Sequence, residues 1–212
     1  MADFEFFFDA VCPFAWVTSR WVTEVQKVRD YDVEWRFISL KMINEGTTDG
    51  KYGARFSDSH VAGLYSHRVS DEVRIQHGND GVAALYTALG DAMHTHPREP
   101  KISADPVAYM IEILKAADLP TDYASHVHDE SHDAYIRQDT ELALSRTGRD
   151  VGTPIITFHP GQANEGSFFG PVISSIPRGD DALRLWDAIE VIATSTGMSE
   201  LKRSDRAPLN FN

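Results

Sequence analysis

The stretch FFFDAVCPFAW, residues 6–16, decides the fold because it joins an apolar strand to the start of a helix. The aromatic run that ends at Phe8 predicts a short buried strand, and Asp9 marks its end. Pro13 then suits the first turn of a helix, where the N–H that proline lacks would have no helical partner. Cys12, the only cysteine of the chain, is therefore predicted to lie at a strand–helix junction.

Outward from this stretch, the apolar pattern predicts a strand–helix–strand unit, a long helical region and a closing hairpin and helix. The first helix continues to about residue 29, and the second strand covers residues 33–38. The middle of the chain carries only helical patterns, separated by glycine or proline, at residues 57–77, 80–94, 105–118 and 130–147. The last part predicts strands and then a helix, at residues 154–158, 167–169 and 180–194.

This order of elements predicts an α/β protein with a thioredoxin-like fold that is interrupted by an inserted all-helical domain. The expected thioredoxin-like domain comprises residues 1–43 and 149–198. Residues 44–148 form the expected helical insertion, and residues 199–212 a C-terminal tail that is either mobile or draped over the domain. The first two strands are expected to be parallel, with a right-handed crossover.

Composition and charge exclude several classes of function. The 212 residues are 42% hydrophobic and 25% charged, which is ordinary for a globular protein. A formal net charge of −12 disfavours nucleic-acid binding, which needs clustered Lys and Arg. The apolar run at the N-terminus is too short for a signal peptide, and no run is long enough to cross a membrane. We therefore expect a cytoplasmic protein with no nucleic-acid or membrane partner.

The position of Cys12 indicates a reactive thiol. At the N-terminus of a helix, unpaired backbone N–H groups and the positive end of the helix dipole favour the thiolate, so the pKa of the thiol should fall. The thiolate is the nucleophilic form. A buried cysteine that acts only as a small hydrophobic residue is the alternative, but it fits poorly beside Asp9 and Pro13.

Thr153 and Pro154, just before the third strand, are predicted to be joined by a cis peptide bond next to the cysteine. Proline often begins strands, so the dipeptide is informative only together with Cys12 and Pro13 in the right order. A cis bond would turn the backbone groups of Thr153 outward, where an extended thiol substrate can pair with them.

Five segments together resemble the mycothiol-dependent nitroreductase family of actinobacteria, a DsbA-like branch of the thioredoxin superfamily: DAVCPFAWVTSRW, LYTALGDAMH, VGTPIITF, FFGPVISSIPRG and LWDA. The resemblance extends from Phe4 to about Arg203, and FFGPVISSIPRG is specific. It implies a cytosolic reductase that takes electrons from mycothiol, and some members reduce nitroaromatic compounds or act as general thiol–disulfide enzymes. The better-known family pattern is C-P-W-C. Here Phe14 and Ala15 differ, so we interpret the chain as a natural monothiol variant.

Further candidate residues lie in or near the segments that carry the resemblance. The helical insertion is expected to cover the thiol, and three polar residues could line the cleft beneath it: Asn44, Tyr52 and His94. His94 could stabilise the thiolate as a cation or move a proton to the leaving group, although a histidine that merely ends a helix is equally ordinary. Phe14 and Trp16 could form an aromatic floor for a planar substrate, with core packing as the simpler reading of Trp16.

The segment HVHDESHD contains three histidines, His126, His128 and His132, at spacings that could suit a metal. No cysteine accompanies them, and their acidic neighbours equally suit a solvated helix start, so the sequence alone favours no bound metal. No glycine-rich phosphate-binding motif occurs, which leaves a nucleotide cofactor without support.

Three hypotheses for function follow. In the first, Cys12 and a low-molecular-weight thiol, mycothiol by the resemblance, reduce disulfides or small electrophilic or nitroaromatic substrates. In the second, the protein activates a thiol cofactor for transfer or isomerisation, like the kappa-class glutathione transferases and the hydroxychromene carboxylate isomerases. In the third, Cys12 is vestigial and the protein only binds a ligand. The partners expected are small molecules, and a homodimer is compatible with all three.

Overall fold

The computed structural model describes residues 2–45, 53–99 and 101–211. The chain divides into two compact units. Unit 1 comprises Met1–Phe8, Cys12–Arg36 and Leu144–Asn212, and unit 2 comprises Asp9–Val11 and Phe37–Ala143. These bounds differ from the expected domains in three ways. Residues 9–11 and 37–43 belong to the helical unit, residues 144–148 belong to the sheet unit, and so does the C-terminal tail.

Four strands form one sheet in the order β2-β1-β3-β4. Their bounds are Phe4–Phe8 (β1), Val33–Phe37 (β2), Ile155–Phe158 (β3) and Gly166–Phe169 (β4). β3 is antiparallel to both β1 and β4, with Phe6 opposite Ile156 and Ile156 opposite Phe168. The expected hairpin near the C-terminus is therefore confirmed, and β1 is a central strand.

Every residue of β1 is buried, as expected for a central strand covered on both faces. Glu5 is the polar exception, and its carboxylate accepts a hydrogen bond from Arg36 Nε at 2.7 Å and pairs with the guanidinium of Arg146. A buried charge is tolerated only when it is paired in this way. The strand can thus carry an acidic residue in the middle of an apolar run.

An aromatic cluster forms much of the core of unit 1. The ring of Trp186 lies 4.6 Å from that of Phe4 and 5.3 Å from that of Trp21, measured between centroids. Trp21 also donates a hydrogen bond from its indole nitrogen to the carbonyl of Ala182 at 3.0 Å, which ties the first helix to the last. The Phe4–Trp186 contact is edge-to-face, a geometry that is favourable beyond the area that it buries.

Six α-helices occur among the described residues, and their bounds are Pro13–Gln26 (α1), Leu40–Ile43 (α2), Gly53–Gly90 (α3), Pro106–Ala116 (α4), Asp133–Thr147 (α5) and Gly179–Thr194 (α6). A π-helical turn, Asp91–Thr95, follows α3, and two 3₁₀ segments, Thr121–His128 and Glu130–His132, precede α5. Between residues 53 and 147, every regular element that the structure describes is helical, as predicted.

Local sequence explains the ends and the break of these helices. Asp105 caps α4 by accepting the N–H of Ala108 at 3.0 Å, and Pro106 fills the first helical position. Gly78 interrupts α3 with a φ of 66°, which a residue with a side chain rarely adopts. The 3₁₀ segments were not predicted, because their three-residue turn leaves no 3.6-residue apolar period to detect.

The C-terminal tail is draped rather than helical. The N–H of Asn210 donates to the carbonyl of Ser174 at 2.7 Å, and the guanidinium of Arg206 lies 5.1 Å from the centre of the Phe14 ring. Among the described residues, no helix combines the length and the apolar character that crossing a membrane requires.

Replacing Trp186 with alanine should destabilise the protein by about 3–5 kcal/mol, because it leaves a cavity in the aromatic cluster. Trp186 is 1% exposed, whereas Val191 on the same helix is 65% exposed. Val191→Ala is therefore the matched control, with an expected change within about 0.5 kcal/mol. Urea unfolding of both variants measures the difference. Equal effects of the two substitutions would contradict the assignment of Trp186 to the core.

Candidate functional site

Cys12 is the N-cap residue of α1, as predicted. Its backbone is extended, with φ −85° and ψ 110°, and Pro13 opens the helix. The carbonyl of Cys12 accepts the N–H of Trp16 at 3.1 Å, which closes the first turn. The side chain is 9% exposed. The only thiol of the chain therefore lies at the end of a helix where N–H groups and the dipole favour an anion.

The thiol of Cys12 contacts the residue before the third strand. Its sulfur donates a hydrogen bond to the carbonyl oxygen of Thr153 at 3.4 Å. The Thr153–Pro154 peptide is cis, which confirms the prediction. The hydroxyl of Thr153 donates to the carbonyl of Phe7 at 3.2 Å and so fixes this residue against β1. The backbone of Thr153 is thus held directly beside the sulfur.

A second cis peptide, Gly170–Pro171, lies at the same open end of the β3–β4 hairpin as the first. The N–H of Gly170 donates to the carbonyl of Pro154 at 2.8 Å, and the hydroxyl of Thr18 donates to the carbonyl of Pro171 at 2.8 Å. Gly170 has a φ of 109°, a conformation that favours glycine. The individual roles of Gly170 and Pro171 were not predicted. In the sequence they belong to the FFGPVISSIPRG segment, which is specific to the family resemblance.

The three residues that follow Pro13 differ in exposure. Phe14 is partly exposed, Trp16 is 4% exposed, and Ala15 is fully buried. Ala15 is buried because the inward face of α1 begins at this position. The guanidinium of Arg20 lies 4.1 Å from the centre of the Trp16 ring. Phe14 is therefore better exposed for a substrate than Trp16.

Asp9 lies in unit 2 and is fully buried. One of its carboxylate oxygens accepts the N–H of Val11 at 3.1 Å, and the other accepts the N–H of Leu40 at 2.9 Å. Aspartate often forms a turn in which its side chain accepts the N–H of the residue two positions later, and the bond from Val11 closes such a turn. This turn immediately precedes Cys12 in the chain. From the sequence, Asp9 is predicted only to end the first strand, and its role in the turn was not predicted.

Two residues of α3 accommodate the Asp9 carboxylate. Gly63 approaches so closely that a Cβ on it would lie 2.5 Å from Asp9 Oδ1, so this position requires glycine. His67 is fully buried, with its Nε2 atom 3.6 Å from Asp9 Oδ2. In the sequence, the only signal for partners of this kind is the aspartate that directly follows the predicted first strand.

His94 lies on the π-helical turn and donates a hydrogen bond from Nε2 to the carbonyl of Ala10 at 2.8 Å. Burial lowers the pKa of His94 below 6.5, against opposing contributions from the Ala10 carbonyl and from Asp9. Burial also lowers the pKa of His60, with Asp9 opposing the change. His94 is therefore neutral at neutral pH, which disfavours the expected role as a cation and leaves its Nε2–H holding the carbonyl two residues before Cys12.

The remaining expected residues contribute less. The side-chain amide of Asn44 donates to the carbonyl of Leu40 at 2.7 Å and so caps α2. Tyr52 lies outside the described residues. The histidines of HVHDESHD belong to the 3₁₀ segments of unit 2.

Comparison with known proteins agrees with this arrangement. The family model described as "Rv2466c-like: Mycothiol-dependent nitroreductase Rv2466c" matches residues 11–203. The uncharacterised protein Rv2286c of Mycobacterium tuberculosis is 30% identical over 217 residues, which cover 96% of this chain and 82% of that protein.

Two solved structures show the same fold at low identity. The probable DsbA oxidoreductase SCO1869 of Streptomyces coelicolor has a TM-score of 0.60 and 15% identity, over 97% of this chain and 94% of its own. The cytosolic disulfide reductase DsbM of Pseudomonas aeruginosa has a TM-score of 0.58 and 13% identity, over 89% and 98%. A second structure of DsbM is described as a complex with GSH. The expected DsbA-like, thioredoxin-type fold is confirmed.

Replacing Asp9 with asparagine should lower the pKa of His94 further, because it removes the negative charge that favours the imidazolium. The measurement is an NMR titration of the imidazole signals. Asp80→Asn, at an exposed position of α3, is the matched control and should leave His94 unchanged. A rise or no change in the pKa of His94 in Asp9→Asn would show that this carboxylate does not act on it.

The folded protein should lose stability as the pH falls below about 6.5, the ordinary value for histidine. His60 and His94 have lowered pKa values, so in this range the unfolded chain binds more protons than the folded one, and acid favours unfolding. His94→Gln keeps an N–H donor for Ala10 but does not titrate. Its free energy of unfolding, measured with urea between neutral pH and about pH 5, should therefore depend less on pH than that of the unaltered protein. An unchanged pH dependence would contradict the burial argument.

Proposed function

Because the chain belongs to the Rv2466c-like family of mycothiol-dependent nitroreductases, which are thiol-dependent oxidoreductases, we propose that it is a monothiol reductase whose electrons come from mycothiol. Cys12 is the proposed nucleophile. Small disulfides, including mixed disulfides of mycothiol, are the proposed first substrates, and small electrophilic or nitroaromatic compounds are the wider class that the family suggests. The proposed location is the cytoplasm, where a reducing thiol pool keeps such a cysteine reduced.

One observation carries the proposal. The chain has a single cysteine, at the N-cap of α1, and its sulfur is 3.4 Å from the carbonyl that precedes a cis proline. A dithiol reductase resolves its mixed disulfide with a second cysteine of its own. The chain contains no second cysteine, and Ala15 occupies the position where the family pattern C-P-W-C has one. The resolving thiol must therefore come from solution.

In the first proposed step, the Cys12 thiolate attacks one sulfur of a mixed disulfide between mycothiol and a substrate thiol. The new bond joins Cys12 to the mycothiol sulfur, the old disulfide bond breaks, and the substrate leaves as a thiolate that takes up a proton. The N–H groups of the first turn of α1 favour the thiolate. The Thr153 carbonyl accepts a hydrogen bond only from the protonated thiol, so this bond is lost when the thiolate forms.

In the second proposed step, the Cys12 mixed disulfide is attacked by a second mycothiol thiolate at the mycothiol sulfur. Cys12 leaves as a thiolate, and mycothiol disulfide is released. Overall, one mixed disulfide and one mycothiol thiol give one free substrate thiol and one mycothiol disulfide. One mycothiol sulfur is therefore oxidised for each substrate sulfur reduced, and the electrons balance without a further cofactor. The backbone of Thr153, the cis Pro154 and the partly exposed ring of Phe14 are the proposed contacts of the bound thiol.

Pro13 and His94 are proposed as positioning residues in this scheme. Pro13 begins α1 and so keeps Cys12 at its N-terminus. His94 holds the Ala10 carbonyl in the turn before Cys12 through a neutral imidazole. This role replaces the cationic one that the sequence suggested. Asn44, Tyr52 and Trp16 remain proposed substrate contacts of lower weight.

Incubation of the reduced protein with mycothiol disulfide should add the mass of one mycothiol group to the chain, as measured by intact-protein mass spectrometry. Peptide mapping should locate the adduct on Cys12, and an excess of reduced mycothiol should remove it. Cys12→Ser should gain no mass and should lose thiol-dependent turnover. Serine matches the size of cysteine but forms no disulfide, which makes it the matched control.

Two outcomes would refute the mechanism. One is full turnover by Cys12→Ser. The other is the absence of an adduct when a small disulfide reagent labels Cys12 under the same conditions. Product analysis separates the proposal from the transferase or isomerase hypothesis, because only the reductase produces mycothiol disulfide in proportion to the substrate consumed.

A further inference from the structure

A second cluster of chemically active side chains lies in unit 2 and has no part in the thiol chemistry. It consists of Glu72 on α3 with His126 and His132 of the two 3₁₀ segments, and Asp129 lies beside both histidines. Asp129 has an extended backbone, with φ −82° and ψ 101°, and separates the two 3₁₀ segments that carry the histidines. The sequence showed the histidines but not Glu72, which is 54 positions before His126.

The ligand-capable atoms of the cluster lie close together. His132 Nε2 is 3.0 Å from His126 Nδ1, 3.9 Å from Glu72 Oε2 and 3.8 Å from Asp129 Oδ2. His126 Nδ1 is 3.3 Å from Asp129 Oδ2. The atoms of Glu72, His126 and His132 all lie within 4.8 Å of one another. Bonds of about 2.0–2.2 Å to a tetrahedral zinc ion separate its ligands by roughly 3.3–3.6 Å, so the observed spacing brackets the required one.

Both carboxylates are oriented by a donor that occupies their other oxygen. Glu72 Oε1 accepts a hydrogen bond from the side chain of Gln76 at 2.9 Å, which leaves Oε2 toward His132. Asp129 Oδ1 accepts the N–H of Ser131 at 3.0 Å, which leaves Oδ2 toward both imidazoles. Each acidic residue thus presents one oxygen to the two ring nitrogens.

The outer contacts are those of a metal-bound histidine. His132 is 6% exposed, and its Nδ1 atom lies 2.8 Å from Asp71 Oδ2, so that nitrogen carries a proton and donates it. The carboxylate of Asp71 is itself held by Arg74, whose Nε donates to Oδ1 at 2.8 Å. A carboxylate behind a ligating imidazole fixes the ring and its tautomer and makes the free nitrogen a better ligand.

We propose that Glu72, His126, Asp129 and His132 bind one divalent transition-metal ion, and that zinc fits the site best. Two imidazole nitrogens and two carboxylate oxygens are ligands that zinc accepts in a four-coordinate site. Two ionised carboxylates and two neutral imidazoles also balance the charge of the ion. With four protein ligands the site is closed, which is typical of a structural rather than a catalytic ion.

In the absence of a metal, the same contacts require a proton between His126 Nδ1 and His132 Nε2, since one nitrogen must donate to the other. A shared proton joins the two rings but does not need Glu72, whose Oε2 is 3.9 Å from His132. A metal ion needs it. Glu72 is therefore the residue that separates the two explanations.

An ion at this site would join α3 to the segment of residues 126–132 within the helical unit. Because binding to the folded state alone stabilises it, zinc should raise the thermal stability of the protein in proportion to its affinity. This role is independent of mycothiol and of Cys12, so the failure of one proposal leaves the other intact.

The test uses the full chain with Cys12→Ser, which removes a thiol that would also bind zinc, and with any metal first removed by a chelator. Isothermal titration with zinc chloride should show one ion per chain. Loss of an outer contact alone typically weakens metal binding about 10- to 100-fold, so Glu72→Gln and His126→Gln should each weaken it at least tenfold. His128→Gln, an exposed histidine two residues from His126, is the matched control and should bind zinc normally.

Cobalt(II) provides a second measurement that needs no substitution in the cluster. A tetrahedral nitrogen and oxygen site should give intense visible absorption with cobalt, and one equivalent of zinc should abolish it. Stoichiometric binding that Glu72→Gln and His126→Gln leave unchanged would overturn the proposal. The absence of both zinc binding and the cobalt spectrum would overturn it equally.

Discussion

The buried carboxylate of Asp9 is the constraint on which the local structure before Cys12 depends. A buried charge is tolerated only where hydrogen-bond donors surround it. Here the N–H of Val11 donates to one carboxylate oxygen of Asp9, and the N–H of Leu40 donates to the other. These bonds shape the turn that leads into Cys12 and fix the start of α2. Gly63 has no side chain because the carboxylate occupies the space where its Cβ would lie. One acidic residue thereby imposes requirements on three other parts of the helical unit.

The chemistry of the thiol follows from three neighbouring features of unit 1. The N-cap position favours the thiolate, the carbonyl of Thr153 binds the protonated thiol, and Ala15 denies the site a second sulfur. The two cis prolines lie at the open end of the β3–β4 hairpin, where the N–H of Gly170 donates a hydrogen bond to the carbonyl of Pro154. In the proposed mechanism, this backbone holds the single cysteine and an external thiol takes the place of a second one.

Four of the nine histidines form two pairs with different surroundings. His60 and His94 have lowered pKa values because burial disfavours their charge, and Asp9 only partly compensates. His126 and His132 face carboxylates and each other, an arrangement that suits either a proton or a metal ion between them.

The sequence by itself determined the order of elements, the helical insertion, the place of Cys12 at the start of α1 and the cis bond before Pro154. These features depend on short-range patterns: apolar periodicity, proline at the first helical position, and motifs of a few residues. The sequence did not determine the turn around Asp9, the burial of Ala15, the neutral state of His94 or the meeting of Glu72 with His126 and His132. Each of these depends on residues far apart in the chain that only packing brings together, and on the loss of water around them. Periodicity along the chain contains neither quantity, so the tertiary structure alone decided them.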